Sequence, residues 1–467
     1  MDYSNSRITR RSFIGGVAAA TALAVSTGRV AHASPTPTSI RDVVIVGAGF
    51  AGITAARELR RAGLAPTIIE ARGRIGGRVF TRDFGGEQIE LGAQWIAPTQ
   101  LYATAELNRY GIGLNPIPDA LPERAFYPSN SGAQPVDFIE ASGHMGALYS
   151  NVFADTRKWF PNPYDPLAGG TSVLAADKLS LGQKVLQVAN NPKDRLWLES
   201  SFYGYCGESI FRRGLTSMGQ WWALGGHTIA GWDQQTSLTP VGGMTSLLDK
   251  IFQESSSELI LNNPVSAVTK RDGYVEIVGQ KVTIRAKRVV IATPANIWKS
   301  IRFAPALPPA FSLASNYGLG IPSLSKVFFR TPGDQGRVFA QGSASDPLGL
   351  VLPLTTFENG DILSVGFATD PQYPTYGLAR SQEALNRIAP GVKLLDQAVG
   401  AWAADPFSQG AWGMRGPNMI GLVARELQTS FGPITFATGD IAPGWNGAYI
   451  DGAIESGFAA ARKVVNG

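Results

Sequence analysis

The first residues able to do chemistry are Gly47-Ala-Gly49-Phe50-Ala51-Gly52. They lie between a β-branched run, Asp42-Val-Val-Ile-Val46, and a run of helical spacing from Ile53 to Arg61. A tight turn needs the first glycine, and close approach of a pyrophosphate needs the second. The third lets the helix pack on the strand, while the helix N-terminus offers unpaired N–H groups to phosphate oxygens. Gly63 ends the helix, and Pro66-Thr-Ile-Ile-Glu70 reads as a second strand. Glu70 stands about 20 residues past the glycines, where a carboxylate bonds ribose hydroxyls. The glycine spacing alone is a weak signal. Strand, glycines, helix, strand and acid in that order make a dinucleotide-binding unit.

A second cluster follows at once: Ala71-Arg72-Gly-Arg74-Ile-Gly76-Gly77-Arg78. An ordinary surface turn with solvated arginines has the same composition. Two adjacent glycines between Arg74 and Arg78 also give backbone and guanidinium a second place to meet a diphosphate. A nicotinamide enzyme needs only the first loop, so the segment favours FAD. Lys326, within Leu324-Ser-Lys-Val-Phe-Phe-Arg330, reads from position alone as an edge-strand or snorkelling lysine. Trp412 and Tyr449, taken singly, read as core aromatics. The one cysteine, Cys206, excludes an intramolecular disulfide framework, and three scattered histidines (His32, His144, His227) argue against a metal centre.

From Asp42 to Gln100 the chain resembles the flavin amine oxidase family: monoamine, polyamine and putrescine oxidases and bacterial nicotine-oxidising flavoenzymes. Glu90-Leu-Gly-Ala-Gln94-Trp95-Ile-Ala-Pro-Thr-Gln100 is similar to the family's segment beside the flavin ring. The resemblance resumes at Thr435-Phe-Ala-Thr-Gly439-Asp440 and at Trp445-Asn-Gly-Ala-Tyr449-Ile450-Asp-Gly452. It implies FAD held by Gly47, Gly49, Phe50, Ala51, Gly52, Glu70, Ala71, Arg72, Gly76, Gly77, Arg78, Gln94, Trp95, Val265, Thr293, Gly439, Asp440 and Ile450, with the Val265 backbone at adenine. It also implies that Lys326 holds a water near flavin N5, and that Trp412 and Tyr449 face each other as a cage before the ring. A buried ammonium at Lys326 would have a lowered pKa.

Two departures refine the expectation. The covalently flavinylated monoamine oxidases carry a cysteine directly before the first cage aromatic. Ala411 stands there, so noncovalent FAD is expected. L-amino-acid oxidases carry a carboxylate-binding arginine after Leu-Gly-Ala, whereas this chain has Gln94-Trp95 and no arginine until Arg109. A carboxylate buried without such a partner is costly, so an amine lacking an α-carboxylate is the expected substrate. Hydride would pass from the amine α-carbon to flavin N5, giving an imine that water hydrolyses to an aldehyde or ketone. Oxygen is the expected acceptor, yielding hydrogen peroxide, with a redox protein as the alternative. An L-amino-acid oxidase, a non-catalytic flavin-binding redox carrier or interaction protein, and a nicotinamide dehydrogenase remain as other readings.

Around these residues an α/β architecture with a Rossmann-like FAD-binding domain is expected. Residues 42–118, 240–299 and 415–467 would form it, and residues 119–239 and 300–414 would form an inserted substrate domain of mixed sheet and helices. A turn and helix over 240–252 and strands at 259–261, 265–269, 275–278, 282–284 and 289–294 would belong to the first, and Ser325–Phe329 to the second. Trp221, Trp222, Trp232, Phe339 and Phe367 are possible pocket liners.

With 467 residues, 44% apolar and 16% charged, the chain is long enough for a large core. Residues 1–33 read as a twin-arginine-type export signal: Arg10-Arg11, an apolar run from Phe13 to Val25, then Ala31-His32-Ala33. The run is too short for a stable membrane span, though an N-terminal anchor helix is the competing reading. Removing it takes away four arginines and one aspartate and brings the formal charge from +5 to +2. Residues 34–41 read as a lead-in. No basic run interleaved with aromatics appears, so nucleic acid is not an expected partner. Export to the periplasm or beyond is the expected location.

Overall fold

A buried parallel sheet forms where the sequence carries unbroken β-branched runs, because strands covered on both faces need no polar alternation. The structure is a computed structural model that describes residues 39–117 and 121–467. The expected export signal therefore lies outside the described residues. Strand β1 (Arg41–Val46) lies between the strand Thr283–Ile291 and β2 (Pro66–Ile69), parallel to both. Strands Glu258–Ile260, Val265–Lys270, Val275–Gly279, Arg302–Ala304 and Ile434–Phe436 complete this eight-stranded sheet, which is mixed because Val275–Gly279 runs antiparallel to both its neighbours. Helix α1 (Phe50–Arg61) packs on it and on the helices Gly243–Ser255 and Ile450–Asn466.

Two runs expected as separate strands, 282–284 and 289–294, are one nine-residue strand, Thr283–Ile291. Ile284 and Ala286 point inward while Arg285, Lys287 and Arg288 stay at least partly exposed. The charges between the two runs are the outward side of its alternation. The sheet also outruns the boundary expected at residue 299. Arg302–Ala304 adds to its edge beside Val265–Lys270, and Phe311 on the helix Pro309–Tyr317 packs against Trp298 and Phe436.

A second, seven-stranded sheet runs in the order Asp396–Gly400, Ser325–Thr331, Ile362–Ala368, Leu348–Thr356, Val338–Gln341, Arg124–Ser129, Gly132–Val136. Helices between residues 138 and 233 cover it through an aromatic core of Tyr149, Phe153, Phe202, Trp222 and Trp232. No helix of the described residues is long and apolar enough to cross a membrane.

Candidate active site

The glycine loop after β1 is built for close backbone contact. A Cβ at Gly52 would stand 2.0 Å from the Gly47 carbonyl oxygen, and one at Gly47, whose φ is +110°, would stand 2.8 Å from the Ala292 oxygen. Only glycine lets the start of α1 settle on the strand ends. Gly49 caps α1 with no side-chain acceptor, and no acid occupies the first turn. The helix therefore presents N–H donors with no carboxylate in that turn to repel an anion.

Glu70 is buried at the end of β2, where its two oxygens accept the N–H groups of Ala48 and Arg72, both at 2.8 Å. The carboxylate thereby joins the two glycine loops. The second loop sits directly on the first: Gly76 N–H donates to the Ala48 carbonyl at 2.8 Å. Arg78 donates to the Ala411 carbonyl and to Asp440 Oδ1, each at 2.7 Å, and Asp440 Oδ2 accepts the Ala295 N–H at 2.9 Å. Arg72 is paired with Asp405 at 2.5 Å and with Ser408 Oγ at 2.9 Å. Arg74, expected beside Arg78 at a diphosphate, turns away from the cavity. It stacks on Phe80 at 4.2 Å and donates to the carbonyls of Ile75, Gly77 and Val79.

One cavity of about 380 Å³ runs from these loops to the second sheet. Gly47, Gly49, Phe50, Ala51, Glu70, Ala71, Arg72, Gly76, Gly77, Arg78, Gln94, Trp95, Val265, Thr293, Gly439 and Ile450 line it, as do Lys326, Trp412 and Tyr449. Gly52 and Asp440 stand behind its wall: Gly52 seats α1, and Asp440 holds Arg78. The helix Ile450–Asn466 also opens on the cavity, capped by Tyr449 without a side-chain bond. A dinucleotide fits this wall. The glycine cradle is free of side chains, two helix N-termini face inward, and Thr293 Oγ1 and Trp95 Nε1 are buried with no hydrogen-bond partner among the described residues.

Lys326 is neither an edge nor a snorkelling residue. Its strand is flanked on both sides, with Lys326 opposite Phe367 and Gly400, and the side chain is only 6% exposed. Nζ donates to Gln94 Oε1 at 2.6 Å and to the Gly92 carbonyl at 3.0 Å, above the Trp95 ring at 4.8 Å. Burial pushes its pKa well below the usual lysine range, opposed by the charge of Glu90. Burial in turn raises the carboxyl of Glu90, which accepts from Met244 N–H and Thr81 Oγ1.

Trp412 and Tyr449 are each braced by other rings. Trp412 meets Phe367 edge-on at 5.4 Å and donates Nε1–H to the Tyr205 carbonyl at 3.0 Å. Tyr449 meets Trp221 at 5.7 Å and Trp445 at 4.6 Å, and its hydroxyl donates to Gln235 Oε1. Of the possible liners, Trp221, Trp232 and Phe367 face the cavity, whereas Trp222 and Phe339 are not in its wall. Sequence reasoning missed Tyr205, Asp233, Gln235, Asn263 and Trp402, which also line it. Trp402 and Asp405 lie just ahead of Trp412, and that proximity was the available signal. Gln235 had none.

A model of the flavin containing amine oxidoreductase family matches residues 50–465. The chain is 32% identical to a nicotine dehydrogenase of Pseudomonas putida, over 99% of this chain and 98% of that protein. It is 30% identical to a pseudooxynicotine dehydrogenase of a Pseudomonas species, over 100% and 97%. Among solved structures, putrescine oxidase bound to putrescine superposes with a TM-score of 0.74 at 21% identity, covering 92% of this chain and 100% of that one.

Proposed function

The chain belongs to the flavin-containing amine oxidoreductase family, and we propose that it oxidises an apolar, nicotine-like amine without an α-carboxylate, using noncovalently held FAD. The observation that carries this reading is one cavity shared by the glycine loops, a buried lysine and an aromatic chamber. FAD, when bound, supplies a two-electron acceptor for hydride from the carbon beside the amine nitrogen and passes the electrons to oxygen, yielding hydrogen peroxide, or to a redox protein.

The protein's share is binding, orientation and exclusion of water. Trp412, Tyr449, Trp221 and Phe367 present flat apolar faces against which a ring-bearing amine packs out of water. The Tyr449 hydroxyl, committed to Gln235, fixes its ring. Lys326 Nζ, held by Gln94 and Gly92 with a lowered pKa, can hold or release a proton near neutral pH at the chamber floor. The imine product is hydrolysed by water to a carbonyl compound and an amine. No arginine other than Arg72 and Arg78, at the glycine-loop end, lines the cavity among the described residues, which supports the absence of a substrate carboxylate. Noncovalent attachment is supported by Cys206, the sole cysteine, which is buried away from the cavity with its thiol pushed up to about 12. Export through residues 1–33 is part of the same proposal, and sequencing the mature N-terminus tests it.

Turnover of nicotine, pseudooxynicotine, putrescine, cyclohexylamine and L-amino acids is to be compared, with oxygen and with a one-electron dye as acceptor. Formation of carbonyl product from a ring-bearing amine is expected. Product from L-amino acids alone would reverse the substrate assignment. Dye reduction without oxygen uptake would assign a redox-protein acceptor, the choice favoured by two relatives named dehydrogenases.

A further inference from the structure

Asp233 ends the short helix Ile229–Asp233 and lines two cavities at once. One is the chamber just described. The other is an outer hollow of about 440 Å³ between that helix and the helix Phe138–Val152, walled by Phe138, Ile139, Gly143, Gly146 and Ile229. Asp233 is the only charged residue in the hollow's wall among the described residues. Its backbone is fixed from both sides. Trp232 is buried against Tyr149, Phe153, Tyr205 and Trp222, and Gln235 holds both Tyr449 and the Trp221 carbonyl. Its carboxylate has no ion-pair or hydrogen-bonding partner among the described residues, although Arg, Lys and other Asp side chains of this protein commonly do. The residue is exposed, yet the surrounding walls desolvate its carboxyl and raise its pKa.

We propose that Asp233 is a recognition site for the substrate's ammonium group, receiving the cation from the outer hollow at the threshold of the aromatic chamber. This rests on the amine-oxidising reading above. Most amines are cationic near neutral pH, and moving an ammonium into an apolar space is costly without a counter-charge. A lone carboxylate in a wall that is otherwise uncharged, with only Ser142 and Ser150 as further polar side chains of the hollow, meets that cost and focuses the attraction. Beyond it, Tyr205 and Trp232 offer ring faces that continue to favour a cation. Lys326 lines the same chamber, and whenever its Nζ carries a proton it would repel a cation there, which leaves the carboxylate of Asp233 as the group in that wall nearest the outer hollow that attracts one.

The test is calorimetric binding of benzyltrimethylammonium and of neutral tert-butylbenzene to the FAD-loaded protein, in low and high salt. The wild-type protein should bind the cation more tightly, with the preference shrinking as salt rises. Asp233→Asn should weaken the cation about tenfold, leave the neutral ligand within about twofold, and flatten the salt dependence. Asp233→Glu should restore the preference. Equal binding of both ligands by the wild type would overturn the proposal, as would an Asp233→Asn protein that keeps the cation preference or loses both ligands alike. Neither ligand reacts, so a cation preference abolished by Asp233→Asn in a protein that oxidises no amine would contradict the proposed reaction and leave this site standing.

Discussion

Lys326 is the residue whose surroundings differ most from what its neighbours in the sequence imply. A lysine in an apolar strand is ordinarily an edge or snorkelling residue. Here the strand is internal, and Gly400 beside it lacks a Cβ, which would stand 2.4 Å from the Leu91 carbonyl. That close approach carries Gly92 and Gln94 over Nζ. Lys326→Met should keep the bound cofactor's spectrum and lower turnover about 10- to 100-fold, read by steady-state kinetics. At Tyr449 the hydroxyl positions the ring through Gln235, so Tyr449→Phe should raise KM several-fold with a smaller change in kcat, whereas Trp412→Ala should raise KM about tenfold or more. The roles expected of these three residues rest on resemblance, since alone Lys326 reads as an edge or snorkelling lysine and Trp412 and Tyr449 read as core. The structure adds the common cavity they face.

Elements explain why some of the site was legible in the sequence. The unit from β1 to β2 could be read residue by residue because each of its constraints is local: an apolar run, a glycine turn, a helix start, an acid. Gly52→Ala should therefore weaken FAD binding about 100-fold and lower Tm, since its Cβ has no space against the Gly47 carbonyl. The long strand Thr283–Ile291 looks like two in the sequence because outward charges interrupt its inward face, and only its pairing partners join the halves. Gln235 and Asp233 were not legible at all, since a short turn acquires meaning from what packs on it. The C-terminal helix carries a second consequence. Burial raises the Asp451 and Glu455 carboxyls to about 7, while Asp451 still accepts the Ala103 N–H at 2.8 Å. Their unfolded-state values lie near 4, so folding is favoured by them below about pH 4, and that contribution is lost as pH rises through about 7. Asp451→Asn should narrow the fall in Tm between pH 5 and pH 8, measured by thermal melts of the holoprotein.

At the scale of the molecule, the two sheets contribute opposite ends of one cavity, and chain segments far apart in sequence tie them. Arg78 reaches Ala411 and Asp440, and Arg72 reaches Asp405 and Ser408. A cofactor spanning both ends should stabilise the whole fold by mass action, by about 2.7 kcal/mol at a hundredfold excess over its Kd. Removing FAD should lower Tm, and re-addition should restore it. Domain boundaries were the least legible feature, because the edge strand Arg302–Ala304 is too short to be told from a loop by its pattern. Whether the cavity holds FAD and presents it to an amine is read from the visible spectrum of the purified protein during anaerobic titration with nicotine and the other amines named above. The protein should be yellow, its flavin absorbance should bleach with a ring-bearing amine, and its flavin should be released into the supernatant on acid precipitation. A protein that is colourless and cannot be reconstituted with FAD, or one whose flavin no amine in the panel reduces, would contradict the proposed function.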